Sequence, residues 1–186
     1  VISWNCYRLS KSSYMKIYLV RHTAVDVPQG MCYGQTNVPL KASFENEARV
    51  VKSNIGSIEA DAAFSSPLSR CRKLAHFCDF KDAVLDDRLK ELHFGDWETR
   101  MWDHIDMSIW DEDWVNPPAP NGESFMQMYN RVSKFFDELK SKQYKSVLVF
   151  THGGVISCAR VYFNQADIKK TFDLMPRYGE MVQFEF

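Results

Sequence analysis

Two short, almost continuously apolar runs govern what this chain can fold into. Met15-Lys16-Ile17-Tyr18-Leu19-Val20 lies near the start and Ser146-Val147-Leu148-Val149-Phe150 near the end. Both are far below the ~20 residues a membrane span needs, and both have the length and composition of strands buried on two faces. The segments between them change period. Phe44, Ala48, Val51, Ile55 and Ile58 mark one face of a helix over Ser43–Ile58, with Ser43 at its N-cap. Leu68, Cys71, Leu74, Ala75 and Cys78 mark a second helix, with Pro67 in its first turn.

Phe125, Met128, Tyr129, Val132, Phe135, Phe136 and Leu139 mark a third, long helix, and Ser124 with Gln127 predicts a capping box at its start. A fourth helix is expected over Gly154–Phe163. Short strands are expected at Asp61–Phe64, Ala83–Leu85 and Met181–Phe186. Thr23–Leu40, marked by Pro28, Gly30, Gly34 and Pro39, reads as a loop, and Arg88–Pro120 as irregular. Alternating strands and helices argue an α/β three-layer sandwich, with a mainly parallel central sheet flanked by helices. Residues 1–14 are polar and aperiodic, and are expected to be an extension outside a domain spanning 15–186.

Composition sets limits on partners. With 23 basic and 24 acidic residues among 186, the net charge is −1, which gives no global attraction to nucleic acid or acidic membranes. At 45% hydrophobic and 25% charged the chain is in the globular range, and a domain of this mass buries roughly 70% of its unfolded surface without a disulfide or metal staple. Five scattered cysteines form no C-x-x-C pair, so no disulfide framework or zinc site is indicated. No secretory leader is evident in 1–14, and a reducing cytoplasm is the expected setting. Homo-oligomerisation is left open.

Two histidines stand where strands end. His22 closes Leu19-Val20-Arg21-His22, and His152 closes Val149-Phe150-Thr151-His152 before Gly153-Gly154. Ligands of open α/β sheets bind outside the carboxyl ends of the strands, so both imidazoles are placed where a site forms. Arg21 brings a permanent cation, and Gly153 and Gly154 let backbone N–H groups approach an anion at a helix N-terminus. Arg70, in Ser66-Pro67-Leu68-Ser69-Arg70, works against the dipole of its own helix and makes sense if an anion faces it. Glu91 sits in a loop able to bring a carboxylate to the same crevice. Each piece alone is commonly structural or solvated; their combination and order are specific.

That combination resembles the histidine phosphatase superfamily, whose signature joins Arg-His-Gly, Ser-x-x-x-Arg, Glu-x-x-x-Gly-x-Trp-Glu and a late His-Gly. Here these read Arg21-His22-Thr23, Ser66 to Arg70, Glu91 to Glu98, and His152-Gly153, over about residues 15–186. Thr23 departs from the usual Gly, and the Asn many members place shortly after the nucleophile is missing. Cys32–Leu40 and Leu89–Trp97 look most like the α-ribazole phosphatase branch of cobalamin synthesis.

The resemblance implies a phosphoglycerate mutase-like fold and a metal-independent phosphomonoesterase without a cofactor. His22 would be the nucleophile, Glu91 the general acid and then base, and Arg21, Arg70, His152 and Gly153 the phosphate ligands, with His152 also catalytic. Arg21 and Arg70 would hold His22 below its ordinary pKa by like-charge repulsion. The substrate would be a small phosphorylated molecule, α-ribazole 5′-phosphate being the named expectation. A mutase, a broad-specificity sugar phosphatase and a non-catalytic phospho-ligand module are the alternatives. Trp97, Trp102, Trp110 and Trp114 belong to an expected lid-like insertion over 97–120, or else pack it onto the core. Asp96 and Glu98 are expected to be solvated or turn-forming, and Met128 to be core.

Overall fold

The computed structural model describes residues 14–186, so the expected extension 1–14 lies outside the described residues except for Tyr14. Five strands form one sheet: β1 (Lys16–Arg21), β2 (Ala62–Ser65), β3 (Val84–Leu85), β4 (Ser146–Thr151) and β5 (Met181–Glu185). Their order is β3-β2-β4-β1-β5, parallel except for β5, which runs antiparallel to β1. The α/β architecture with a mainly parallel sheet is the one expected from the alternation of periods.

Side chains on the two central strands alternate between faces, and each face has its own core. Ile17 and Leu19 of β1 with Val147 and Val149 of β4 pack against α3 (Phe125–Lys140) and α4 (Gly153–Tyr162). Val20, Leu148 and Phe150 pack on the opposite face against α1 (Phe44–Ile55) and α2 (Ser69–Phe77). Burying a side chain of this size stabilises by about 1.5–3 kcal/mol, which is why strands apolar on both faces become the centre of the sheet.

Ser43 is the N-cap of α1, as expected, though its hydroxyl donates to Glu47 Oε1 at 2.6 Å instead of capping a backbone N–H. Two other helix ends differ from expectation. α1 stops at Ile55 and does not reach Ile58, because Gly56 follows with φ of 51°. Pro67 lies outside α2; extended Leu68 is the cap, and its N–H donates to Ser66 Oγ at 3.3 Å. α3 carries both hydrogen bonds of the predicted capping box. Residues 88–120 contain only short 3₁₀ turns. No helix among the described residues is long and apolar enough to cross a membrane.

β1 leads to α1 on one face of the sheet, and its neighbour β4 leads to α4 on the other. The carboxyl ends of β1 and β4 therefore border the crevice where the chain's crossovers part, the position at which open α/β sheets bind ligands.

Candidate active site

His22 and His152 meet in that crevice. The His22 backbone N–H donates to the Thr151 carbonyl at 3.0 Å, continuing the β1–β4 ladder, and the two rings lie edge to face with centroids 5.3 Å apart. Both residues are buried. Burial is the largest cause holding both imidazoles well below their ordinary pKa, followed by the Arg70 guanidinium. The like-charge repulsion expected from Arg70 and Arg21 is present, but desolvation outranks it, and Arg21 is the smallest of the causes at His22.

Hydrogen bonds settle the tautomer of each ring. His22 Nδ1 lies 2.7 Å from the Thr23 carbonyl, so a neutral ring carries its proton there and leaves a lone pair on Nε2. His152 Nδ1 accepts from Arg70 Nε at 3.3 Å, so its proton is on Nε2, which donates to Ser66 Oγ at 2.8 Å. Cys71 Sγ packs 3.4 Å from His152 Nε2, and its thiol is pushed up to about 12 by burial. His152 is thus held between Arg70 and Ser66, with neither ring nitrogen turned to an anion.

Arg70 is wholly buried, a rare state for a guanidinium. Nη1 donates to Thr36 O at 3.0 Å and Nη2 to Gly34 O at 2.6 Å, which ties the loop after β1 to α2. Arg21 donates Nη1 to Pro176 O at 2.5 Å and lies 4.2 Å over the Tyr178 ring. Among the described residues, Arg21 Nε and Thr23 Oγ1, on either side of His22, are buried without a hydrogen-bond partner. Buried donors left unpaired cost about 1–3 kcal/mol each, so they mark a place built for an acceptor. Tyr33 and Tyr178, which the sequence did not single out, bridge the loops here with their hydroxyls 2.9 Å apart.

Glu91 reaches the first turn of α4. Its carboxylate accepts from Gly154 N–H at 3.2 Å and from Leu92 N–H at 3.0 Å. A Cβ at Gly154 would lie 2.2 Å from Glu91 Oε1, and one at Gly153 would lie 3.3 Å from the Arg21 guanidinium. The two glycines therefore admit the carboxylate and one cation side by side. Gly153 stands beside Arg21, whereas the Gly154 N–H serves Glu91.

Of the two expectations for Glu98, solvated or turn-forming, the second holds: it accepts from Gln35 N–H, Phe94 N–H, and both the N–H and hydroxyl of Thr36. It joins the Gly34–Thr36 turn to the Glu91 segment. The missed pair Glu123 and Arg131 backs the same segment; Glu123 directly precedes the capping box, which was the signal available for it.

The aromatic segment divides. Trp97 is buried edge to face with Trp110, and Trp114 packs on Phe125 and Phe172. Trp102 meets Phe94 and lines a cavity of about 130 Å³ beside Glu91 and Gly154. Tyr33, Phe125, Met128, Phe172 and Met175 also line it, so Met128 is both core and cavity wall.

The model of the histidine phosphatase superfamily, branch 1, matches residues 17–186. The adenosylcobalamin/alpha-ribazole phosphatase of Escherichia coli (strain K12) is 30% identical over 161 residues, covering 77% of this chain and 76% of the relative. A phosphoglycerate mutase structure from Thermus thermophilus superposes with a TM-score of 0.72 at 30% identity, covering 91% of this chain and 92% of that one. The mycobacterial glucosyl-3-phosphoglycerate phosphatase shares the fold, with a TM-score of 0.80 at 20% identity over 92% and 90% of the two chains.

Proposed function

Because the chain belongs to branch 1 of the histidine phosphatase superfamily, we propose that it hydrolyses a small phosphomonoester through a phosphohistidine on His22. The observation that carries this reading is the free Nε2 of a buried, neutral His22, flanked by the unpartnered Arg21 Nε and Thr23 Oγ1. Nε2 attacks phosphorus in line. Arg21, Arg70 and the Gly153 N–H take the equatorial oxygens, and catalysis is then positioning and charge stabilisation. A bound dianion draws Arg70 Nε from His152 Nδ1, and a proton taken up from solvent together with the dianion lets His152 donate as well.

Protonated Glu91 gives its proton to the leaving oxygen as the P–O bond breaks and the P–N bond forms. As carboxylate it then takes a proton from water, whose oxygen attacks the phosphohistidine and frees phosphate and His22. The leaving alcohol lies toward the cavity beside Glu91. Among the described residues that line it, Glu91 is the one acidic or basic side chain, the rest being aromatic, Met, Cys, Leu and Gly.

Such walls suit a flat apolar ring and offer no cation to a glycerate or serine carboxylate. That favours α-ribazole 5′-phosphate, an ester in cobalamin synthesis, over phosphoglycerate, and the likeness to the E. coli α-ribazole phosphatase supports it. The four buried free thiols among the described residues fit a reducing cytoplasm. Comparing kcat/KM for α-ribazole 5′-phosphate, 3-phosphoglycerate and phosphoserine tests the assignment. A preference of at least tenfold for the ribazole ester is expected, and a preference for 3-phosphoglycerate overturns the substrate while leaving the phosphatase chemistry standing.

A further inference from the structure

The proposed acid is only as good as the segment that carries it, and that segment is gripped from behind. Arg131, on α3, forms a two-pronged pair with Glu123: Nε to Oε2 at 3.1 Å and Nη2 to Oε1 at 2.6 Å. The same guanidinium donates Nη1 to Arg88 O at 2.7 Å and Nη2 to Glu91 O at 2.9 Å. Glu123 Oε1 accepts from His93 N–H at 3.0 Å, and its own N–H donates to His93 O at 2.8 Å. The pair thus holds residues 88, 91 and 93, on both sides of the acid and at its own carbonyl.

Both partners are mostly shielded from water, with side chains 20% and 17% exposed. Planar two-pronged pairing fixes direction as well as distance. Among the described residues, the Glu91 carboxylate has only the Leu92 and Gly154 N–H groups to hold it. Its height over the phosphate site is therefore set by the main chain it hangs from, and Arg131 holds that main chain.

We infer that Arg131, braced by Glu123, is a positioning residue for proton transfer by Glu91, and that it acts on the leaving group and not on phosphate binding. This rests on the reading of Glu91 as the acid. The chemistry separates the two roles. A p-nitrophenolate leaves readily without a proton, whereas a glycerol alkoxide needs one. In kcat/KM the later hydrolysis of the phosphohistidine does not enter, so the comparison isolates the first proton transfer.

The test measures kcat/KM for p-nitrophenyl phosphate and glycerol 2-phosphate in the unmodified chain, Arg131→Lys, Glu123→Gln, Glu91→Gln and Arg131→Lys/Glu91→Gln, with urea midpoints to follow folding. Glu91→Gln is expected to lose about 10²-fold more on the alkyl than on the aryl ester. Arg131→Lys and Glu123→Gln are expected to lose about tenfold more on the alkyl ester, and Arg131→Lys to add no further loss when Glu91 is already Gln. Equal losses on both esters in Arg131→Lys and Glu123→Gln, or a full added loss in the double variant, overturn the positioning role. Equal losses in Glu91→Gln overturn the acid itself, a separately visible failure. If Arg131→Lys does not fold, Glu123→Gln alone decides.

Discussion

A histidine can be made a better nucleophile toward phosphorus by keeping it neutral and fixing its tautomer, and His22 has both. The Thr23 carbonyl accepts a hydrogen bond from Nδ1–H and so keeps the proton on that nitrogen, while burial opposes the charged ring. A similar economy of space explains Gly154, where any side chain would collide with the Glu91 carboxylate. Gly154→Ala is expected to lower kcat/KM for an alkyl phosphate by about 10²-fold, through displacement of the acid, with little change in the urea midpoint. Kinetics on glycerol 2-phosphate check this, and retention of full activity counts against a carboxylate placed by that contact. At this scale the sequence revealed the residues whose type is itself informative: an Arg beside a His at a strand end, or a cation in the first turn of a helix. It did not reveal Arg131, Glu98 or Tyr33, because what matters in them is a partner many residues away, such as Glu98 on the Gly34–Thr36 turn.

Elements were legible in proportion to how regular their burial is. α3 has a full apolar face and a capping box, and it was predicted at both its start and its character. Removing that cap in Ser124→Ala is expected to cost about 1 kcal/mol, read as a lower urea midpoint; no shift means the Gln127 half of the box suffices. α1 and α2 were found but misjudged at their ends, since Gly56 and Leu68 decide those ends by backbone angle, which periodicity does not report. The irregular stretch from 88 to 120 was recognised as such. How its tryptophans divide between packing and cavity was not, because Trp97 and Trp102 differ in three-dimensional neighbours and not in local pattern.

For the molecule as a whole, the two depressed imidazoles link the site to stability. The unfolded chain binds a proton on each near pH 6.5, and the folded chain does not until lower pH. Unfolding therefore takes up protons, and stability falls as pH drops below about 6.5, by up to ~1.4 kcal/mol per pH unit for each ring. Urea midpoints between pH 7.5 and 5.5 are expected to fall less steeply in His22→Asn/His152→Asn than in the unmodified chain; equal slopes contradict the buried, neutral pair. The architecture serves one end: parallel strands bring residues some 130 positions apart in sequence to adjoining strand ends, where the crossovers open a crevice. The most direct measurement of what happens there is rapid quenching with a phosphorus-labelled aryl phosphate, followed by peptide mapping of the protein-bound label. The account predicts an acid-labile, base-stable label on the peptide containing His22, absent from His22→Ala. Turnover with no such label, or a label at another residue, contradicts it.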